Sequence, residues 1–443
     1  FINKKSRAQK PTFYLSYNEG LNLVREFLIY ASQNTIEELQ HFTSRWIPHP
    51  YWVKVDLEVI PEHHLKLAAE SIKTQLGPDG VEKVGGRTWW QWRKPGSEKM
   101  CAEWIEMRDH FNARQEGKMK GNRVMLYVHG GAYYFGSADE HRYQLQRHAR
   151  LIRARVFAPR YRLAPQFPFP CGLQDCLSAY LYLISIQDPS TILLAGDSAG
   201  GGMILSMMII MRDQNIPLPA GAILISPWLD LTHSFPSVGA DNPLDFIPPH
   251  GFHHKPSESW PPPVIEDISG TIFKKPSGQN NKLSVMVNGK LVEISEQIQM
   301  YTPNHLISHP LVSPVMQPSL GGLPPLLMLV GGGEMLRDEQ IYVAHKAARP
   351  AKYPPGNKLV PGREKEKLNT WEPTQVQLQV WDDFCHVVTT LSFTSPAKVM
   401  FRSIAQFSTW ALARAQNMEI QVFASDGLST DPKSDSGTGF LTT

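Results

Sequence analysis

Ser198 lies in the pentapeptide Gly196-Asp197-Ser198-Ala199-Gly200, between an apolar run at residues 191–195 and an apolar stretch at residues 201–211. This arrangement predicts a serine at a tight turn between a buried strand and a buried helix. Small residues on both sides allow a strained backbone there, which exposes the hydroxyl and leaves the following amides free to face an oxyanion. The pattern predicts acyl chemistry at Ser198, and an ordinary Gly/Ser turn between buried elements is the alternative.

A second motif follows another predicted strand. Residues 123–128 form an apolar run that leads directly into His129-Gly130-Gly131-Ala132. A glycine-rich turn at a strand end can present backbone N–H groups to a developing oxyanion. We therefore expect the amides of Gly130, Gly131 and Ala199 to hold the oxyanion, and a simple Gly-Gly turn is the other interpretation.

Five stretches, in order along the chain, resemble the hormone-sensitive-lipase-like family of α/β-hydrolases, also called the GDXG lipolytic group or α/β-hydrolase fold-3. They are HGGAYYFGS from His129, YRLAPQFPFP from Tyr161, GDSAGG from Gly196, ISPWLDL from Ile225 and GGGEMLRDE from Gly331. The similarity covers about residues 121 to 410. The resemblance implies an α/β-hydrolase fold, with a central, mostly parallel sheet flanked by helices, an N-terminal helical cap and lid-like insertions.

The chain departs from the family pattern at two positions. Ala132 replaces the usual third glycine after HGG, which the backbone tolerates if φ at Ala132 stays negative. Glu334 stands where the family usually has the triad aspartate. Glutamate can also orient an imidazole and stabilise its charged form, so we assign Glu334 as the acid. Asp338 is the alternative acid if a helix begins at Met335, although its role there is better explained by the helix dipole.

The predicted base lies at the end of a further strand. Apolar and glutamine side chains alternate over residues 375–380, which predicts a half-exposed strand that leads into the loop containing His386. Of the sixteen histidines in the chain, His386 combines this strand-end position with the right place in the sequence. The order Ser198, Glu334, His386 is that of nucleophile, acid and base in α/β-hydrolases.

Composition restricts the other function classes. The chain has 443 residues, 44 Lys and Arg against 41 Asp and Glu, and four cysteines. This charge balance gives no case for binding nucleic acid, and the absence of C-x-x-C and H-E-x-x-H patterns gives none for a metal. We expect no cofactor. Few cysteines, no sequon and no signal peptide favour an intracellular location, but the first residue is Phe1, so we treat the N-terminus as incomplete. Membrane association and the oligomeric state stay open.

The pattern of elements predicts three regions. Residues 1–120 form an N-terminal helical cap region, with helical periodicity at residues 21–30, 36–42 and 64–76. Residues 121–417 form the catalytic domain, in which strands and helices alternate and which carries proline-rich insertions at about 232–300 and 349–373. The first insertion is a candidate cover for the site. Residues 418–443, rich in Ser, Thr, Asp and Gly, are predicted to be a disordered tail.

We therefore predict a serine carboxylic-ester hydrolase that acts through an acyl-serine on esters with short to medium acyl chains or hydrophobic alcohols. The family motifs do not separate acylglycerol, arylester or steryl-acetate substrates. An acyltransferase or a steryl-acetate deacetylase is one alternative. A non-catalytic binding module, similar to the plant gibberellin receptor of this family, is another, although that receptor lacks the triad histidine.

Overall fold

The computed structural model describes residues 16–85, 90, 99–119, 121–249, 251–260, 283–287, 290–294, 296–353 and 371–418. The strands are β1 Val53–Val59, β2 Cys101–Met107, β3 Val124–Val128, β4 Arg155–Pro159, β5 Ile192–Asp197, β6 Gly221–Ile225, β7 Leu283–Val287, β8 Lys290–Ile294, β9 Leu326–Gly331 and β10 Val376–Trp381. The helices are α1 Tyr17–Ser32, α2 Ile36–Thr43, α3 Glu62–Lys83, α4 Arg108–Gln115, α5 Ala138–Ile152, α6 Cys171–Ile186, α7 Ala199–Asp213, α8 Arg337–Ala348 and α9 Ser395–Ala415.

Eight strands form one sheet in the order β1-β2-β4-β3-β5-β6-β9-β10. The β1–β2 and β2–β4 pairs are antiparallel, and all other neighbours in the sheet are parallel. The predicted mostly parallel sheet of an α/β-hydrolase fold is therefore confirmed. The central strands β3, β5, β6 and β9 are buried along their whole length, as expected of parallel strands that are covered on both faces.

Two hydrophobic layers cover the sheet. Alternate residues of β3 point to opposite sides: Val124, Leu126 and Val128 pack in one cluster, whereas Met125 and Tyr127 pack in the other. The first cluster also contains buried residues of α3, α6, α7 and α8, and the second contains those of α5 and α9. This packing fixes the carboxyl ends of β3, β5 and β9 along one edge, where ligand sites of open α/β sheets form.

The three predicted N-terminal helices are present as α1, α2 and α3. Capping boxes begin the first two: Ser16 and Glu19 cap α1, and Thr35 and Glu38 cap α2. However, β1 and β2 also fall inside the predicted cap region, and both belong to the main sheet. A domain boundary at residue 120 would separate β2 from its partner β4. The description of residues 1–120 as a helical cap is therefore wrong for β1 and β2.

The insertions are described in part. The first contains the segment 232–260, except residue 250, and a separate two-stranded sheet of β7 and β8. Residues 261–282 and 354–370 lie outside the described residues, as does the predicted tail after residue 418. None of the helices within the described ranges combines the length and apolar character that a membrane crossing requires.

Candidate active site

Ser198 occupies the one-residue turn between β5 and α7. Its backbone has φ 50° and ψ −122°, a conformation that non-glycine residues rarely adopt. Gly200, two residues later, has no room for a side chain, because a Cβ there would lie 2.1 Å from the carbonyl oxygen of Val128. Two backbone bonds fix the turn: Ser198 N donates to Ile225 O at 3.0 Å, and Trp228 N donates to Ser198 O at 2.9 Å. The predicted strand–turn–helix context is confirmed, and Ser198 lines a cavity.

Glu334 and His386 are joined by a hydrogen bond in which His386 Nδ1 donates to Glu334 Oε2 at 2.6 Å. The second carboxylate oxygen, Oε1, accepts from Ser226 Oγ at 2.9 Å and from Gly331 N at 2.6 Å. Both side chains are buried, with 0% of Glu334 and 4% of His386 exposed. Because Nδ1 donates to the carboxylate, Nε2 is left for another partner, and His386 lines the same cavity as Ser198.

The environment of His386 favours its charged form. Burial lowers its pKa, but the hydrogen bond and negative charge of Glu334 more than offset burial, so the pKa of His386 is raised. A residue with this environment holds a proton more readily than a free imidazole does. Such an arrangement suits a base that must stabilise its own imidazolium during a reaction.

Asp338 does not contact the histidine. Helix α8 begins at Arg337, later than the Met335 start that the alternative acid required, and Asp338 lies in its first turn. Its Oδ2 accepts from Ser237 N at 3.0 Å, and its Oδ1 accepts from Arg337 Nε at 2.9 Å. The alternative assignment of Asp338 as the acid is therefore wrong, since its carboxylate anchors the insertion to the start of α8.

The amide of Gly130 faces away from the cavity. Its N–H donates to Asp197 Oδ1 at 3.1 Å, and Gly130 is absent from the cavity lining. The prediction that Gly130 donates to an oxyanion is therefore wrong. Within the described residues, no hydrogen bond uses the amides of Gly131, Ala132 or Ala199, and the first two line the cavity. Ala132 thus replaces Gly130 as the candidate donor beside Gly131.

The loop that carries these amides is tightly wound. Gly131 has φ 107°, and a Cβ there would lie 2.1 Å from Phe135 O. Its own carbonyl accepts from Tyr134 N and Phe135 N, both at 3.0 Å. This turn places Ala132 at φ 50° and Tyr133 at φ 69°, so the condition of a negative φ at Ala132 is not met. The methyl group is accommodated within a left-handed turn instead.

Asp197 connects the serine turn to this loop. Its Oδ1 accepts from Tyr127 OH at 2.8 Å as well as from Gly130 N, and its Oδ2 lies 3.6 Å from His141 Nε2. Burial lowers the pKa of His141, but the charge of Asp197 outweighs burial and raises it to about 9. His141 is thus a cation paired with Asp197 at neutral pH. The two groups hold the glycine-rich loop against the end of β5.

His129 has a structural role. Its Nδ1 donates to Gly130 O at 2.7 Å, and its ring stacks on Tyr161 with centroids 4.3 Å apart. Burial, followed by the positive charge of His141, lowers the pKa of His129 to about 3, so the ring is neutral. The imidazole therefore shapes the loop without supplying charge to the site.

The cavity that Ser198 and His386 share has a volume of about 930 Å³. Helix α1 and the segment 232–260 supply many of its apolar walls. The residues from these two elements include Leu23, Val24, Phe27, Leu28, Phe246, Ile247, Phe252 and Trp260. The first insertion therefore contributes walls to the site through residues of the segment 232–260. In the described part of the chain, no group of three or more His, Cys, Asp or Glu side chains is arranged to hold a metal ion.

Two residues beside the Glu334–His386 pair are not predicted from the sequence. Ser226 bridges Glu334 and the backbone N–H of Val387, to which its Oγ lies at 3.0 Å. Asp245, from the first insertion, accepts backbone hydrogen bonds from His386 and Met335. Ser226 lies in the ISPWLDL stretch and could have been noticed there. No local motif marks Asp245, because its partners are 90 and 141 residues away in the chain.

Comparison with known proteins agrees with this architecture. A family model described as the alpha/beta hydrolase fold matches residues 125–247 and 265–354. An acetyl-hydrolase of Streptomyces hygroscopicus is 31% identical over 239 residues, which are 54% of this chain and 62% of that protein. An esterase of Acinetobacter venetianus is 25% identical over 233 residues, 52% of this chain and 63% of its own length. The chain thus spans less than two thirds of these curated relatives.

Solved structures share the fold. An esterase/lipase from an uncultured bacterium superposes with a TM-score of 0.58 at 21% identity, covering 91% of this chain and 100% of that one. An esterase from the bacterial hormone-sensitive lipase family gives a TM-score of 0.55 at 22% identity and covers 91% and 99% of the two chains. Together with the matching family model, these structures show that the chain has the α/β-hydrolase fold, and the acetyl-hydrolase and esterase relatives agree with its resemblance to the hormone-sensitive-lipase-like family.

Proposed function

We propose that the protein is a serine carboxylic-ester hydrolase, with Ser198 as nucleophile, His386 as base and Glu334 as the orienting acid. The observation that carries the proposal is the 2.6 Å hydrogen bond from His386 Nδ1 to Glu334, combined with the serine at a strained turn that faces the same cavity. The hydrogen bond fixes the tautomer in which Nε2 is the proton acceptor. The family resemblance and the esterase names of the relatives support the same reaction class.

In the first half of the reaction, Ser198 Oγ attacks the ester carbonyl carbon while His386 Nε2 takes the hydroxyl proton. The carbonyl oxygen becomes an oxyanion, which accepts hydrogen bonds from the amides of Gly131, Ala132 and Ala199. Each such donor contributes about 3 to 4 kcal/mol to stabilising the transition state in comparable sites. His386 then gives its proton to the alcohol oxygen as the carbon–oxygen bond breaks, which leaves an acyl group on Ser198.

In the second half, His386 removes a proton from a water molecule, and the resulting hydroxide attacks the acyl carbon. The same amides hold the second oxyanion. When the intermediate collapses, Ser198 Oγ leaves and recovers its proton from His386. The carboxylic acid is released and the enzyme returns to its starting state.

The cavity walls favour an apolar substrate. Aromatic and aliphatic side chains of α1 and the first insertion surround the serine, and a volume of about 930 Å³ admits more than a short acyl group. We infer esters with short to medium acyl chains, or with a hydrophobic alcohol. The name acetyl-hydrolase for one relative supports a small acyl group.

The test is hydrolysis of p-nitrophenyl esters of increasing acyl length, with wild type and Ser198→Ala compared, and labelling by an alkyl phosphonate. We expect turnover and phosphonate labelling of the wild type only, and circular dichroism should show that wild type and Ser198→Ala are equally folded. A folded wild type with neither turnover nor label would contradict the proposal and favour a binding module. Formation of a new ester when an alcohol is added in place of water would instead identify an acyltransferase.

A further inference from the structure

Asp245 lies in the first insertion, outside the family motifs, yet its carboxylate is buried beside the proposed triad, with 3% of the residue exposed. One oxygen, Oδ1, accepts from His386 N at 3.0 Å and from Phe246 N at 2.8 Å. The other, Oδ2, accepts from Met335 N at 2.8 Å. Both oxygens therefore accept from backbone N–H groups, which is the pattern that a carboxylate satisfies and an amide does not.

The amides of Met335 and His386 belong to two different loops of the proposed site. Met335 follows the proposed acid directly and lies in the loop after β9, and His386 is itself the proposed base in the loop after β10. The Asp245 carboxylate thus ties the two loops together by their backbones, next to the hydrogen bond between their side chains. Ser226 makes a parallel connection, from Glu334 to Val387 N.

Asp245 is in turn held by the cap helix α1. The guanidinium of Arg25 donates to Asp245 O from Nε at 3.0 Å and from Nη2 at 2.7 Å, and Nη2 also bonds Pro243 O. Two other residues of α1, Val24 and Phe27, line the cavity. A chain of hydrogen bonds therefore runs from a helix that lines the cavity, through Asp245, to the backbone of His386.

We propose that Asp245 is a positioning residue for the ester hydrolysis proposed above: it fixes the backbone of His386 relative to Glu334 and links both to the cap helix. The proposal rests on the proposed function. Proton transfer requires the imidazole to lie within hydrogen-bond reach of the serine, and a shift of about 1 Å at such a site costs on the order of 100-fold in rate. Asp245 acts through His386 and does not contact the reacting atoms.

The charge of Asp245 also acts on the base. The titratable and charged groups that face Asp245 are His386, Glu334, Tyr17, Cys385 and Arg25. Its negative charge is among the causes that raise the pKa of His386, after the larger effect of Glu334. Removing the charge while keeping the side-chain shape should therefore lower the pKa of His386. A residue that merely supports the fold would leave this value unchanged.

The main test is Asp245→Asn in the full chain, with Asp241→Asn as the matched control, because Asp241 is exposed in the same loop. An asparagine has one acceptor oxygen, so its NH₂ group must oppose either Met335 N–H or His386 N–H. For Asp245→Asn we expect kcat on p-nitrophenyl esters to fall by about tenfold to a hundredfold, with KM changed less than about threefold. The control should match the wild type. An unchanged kcat, or a loss confined to KM, overturns the proposal.

A second measurement does not depend on turnover. Titration of His386 by NMR in the resting protein should give a lower midpoint in Asp245→Asn than in wild type and Asp241→Asn, and equal midpoints contradict the proposal. If wild type has no esterase activity, the proposed function fails while this midpoint still tests the link to His386.

If Asp245→Asn does not fold, Arg25→Met serves instead: we expect a smaller fall in kcat, and wild-type kcat in that variant overturns the link to the cap helix.

Discussion

Glu334 uses its two carboxylate oxygens for different purposes. Oε1 is held by Ser226 and the backbone of Gly331, whereas Oε2 faces His386. The extra methylene of glutamate lets one side chain reach both the end of its own strand and the imidazole. At this position, where the family usually has aspartate, the longer acid is accommodated because two fixed donors anchor it.

Glu334→Gln should remove this orientation. If the amide oxygen keeps the bonds to Ser226 and Gly331, the amide NH₂ faces Nδ1 of His386 and forces the tautomer with the proton on Nε2. That tautomer cannot accept the serine proton, so kcat should fall by about 10⁴-fold with little change in KM. Steady-state kinetics with a p-nitrophenyl ester measures this loss. Asp338→Asn is the control, and a comparable loss in the control with an active Glu334→Gln would reverse the assignment of the acid.

Elements with a clear local sequence pattern are predictable, whereas roles that depend on distant partners are not. The sequence predicts strands β3, β5 and β10 and helix α7 because each has a local hydrophobic pattern beside a motif or residue that could do chemistry. β1 is not predicted, although Val53, Val55, Leu57 and Val59 alternate with charged residues, because its place in the sheet depends on pairing with the distant strand β2. The roles of Gly130 and Asp245 depend on partners 67 to 141 residues away, so no local pattern could give them.

Helix α5 is attached to the end of β5 through the His141–Asp197 pair, so this contact should depend on pH. The folded pKa of His141, about 9, lies above the value of about 6.5 for an unfolded histidine. The stabilisation is therefore fully present below about pH 6.5 and is lost as the pH rises through about 9. Urea unfolding of wild type and His141→Gln should show a difference in free energy of unfolding that shrinks over this range. The exposed His345→Gln is the control, and a constant difference for His141→Gln would contradict the pairing.

At the scale of the whole molecule, the cavity is built from distant parts of the chain. The N-terminal helix α1, the insertion at residues 232–260 and the loops at the strand ends all contribute walls. The proposed catalytic residues lie directly after strands of the sheet, whereas much of the apolar lining comes from α1 and the segment 232–260. Substrate preference and catalytic rate should therefore respond to substitutions in different regions.

Phe27→Ala tests this separation. Phe27 lines the cavity from α1, and removing its ring takes away apolar contact worth about 1.5 to 3 kcal/mol for a fully buried side chain. We expect KM for the longer p-nitrophenyl esters to rise by about tenfold, while phosphonate labelling of Ser198 remains. Tyr30→Ala, on the same helix but 64% exposed, should leave KM unchanged. Equal KM values for Phe27→Ala and wild type would show that α1 does not contact the acyl chain.

The first helix and the last catalytic loop meet in the folded protein: Tyr17 OH accepts a hydrogen bond from Cys385 N at 2.8 Å, across 368 positions of sequence. During synthesis, chains emerge from the ribosome in order from the N-terminus, at about 5 to 20 residues per second. Tyr17 of helix α1 must therefore wait until the chain has grown by 368 further residues before its partner Cys385 exists. The turn at Ser198 is also made long before His386, so a nascent chain carries the proposed nucleophile without its proposed base until residue 386 has been added.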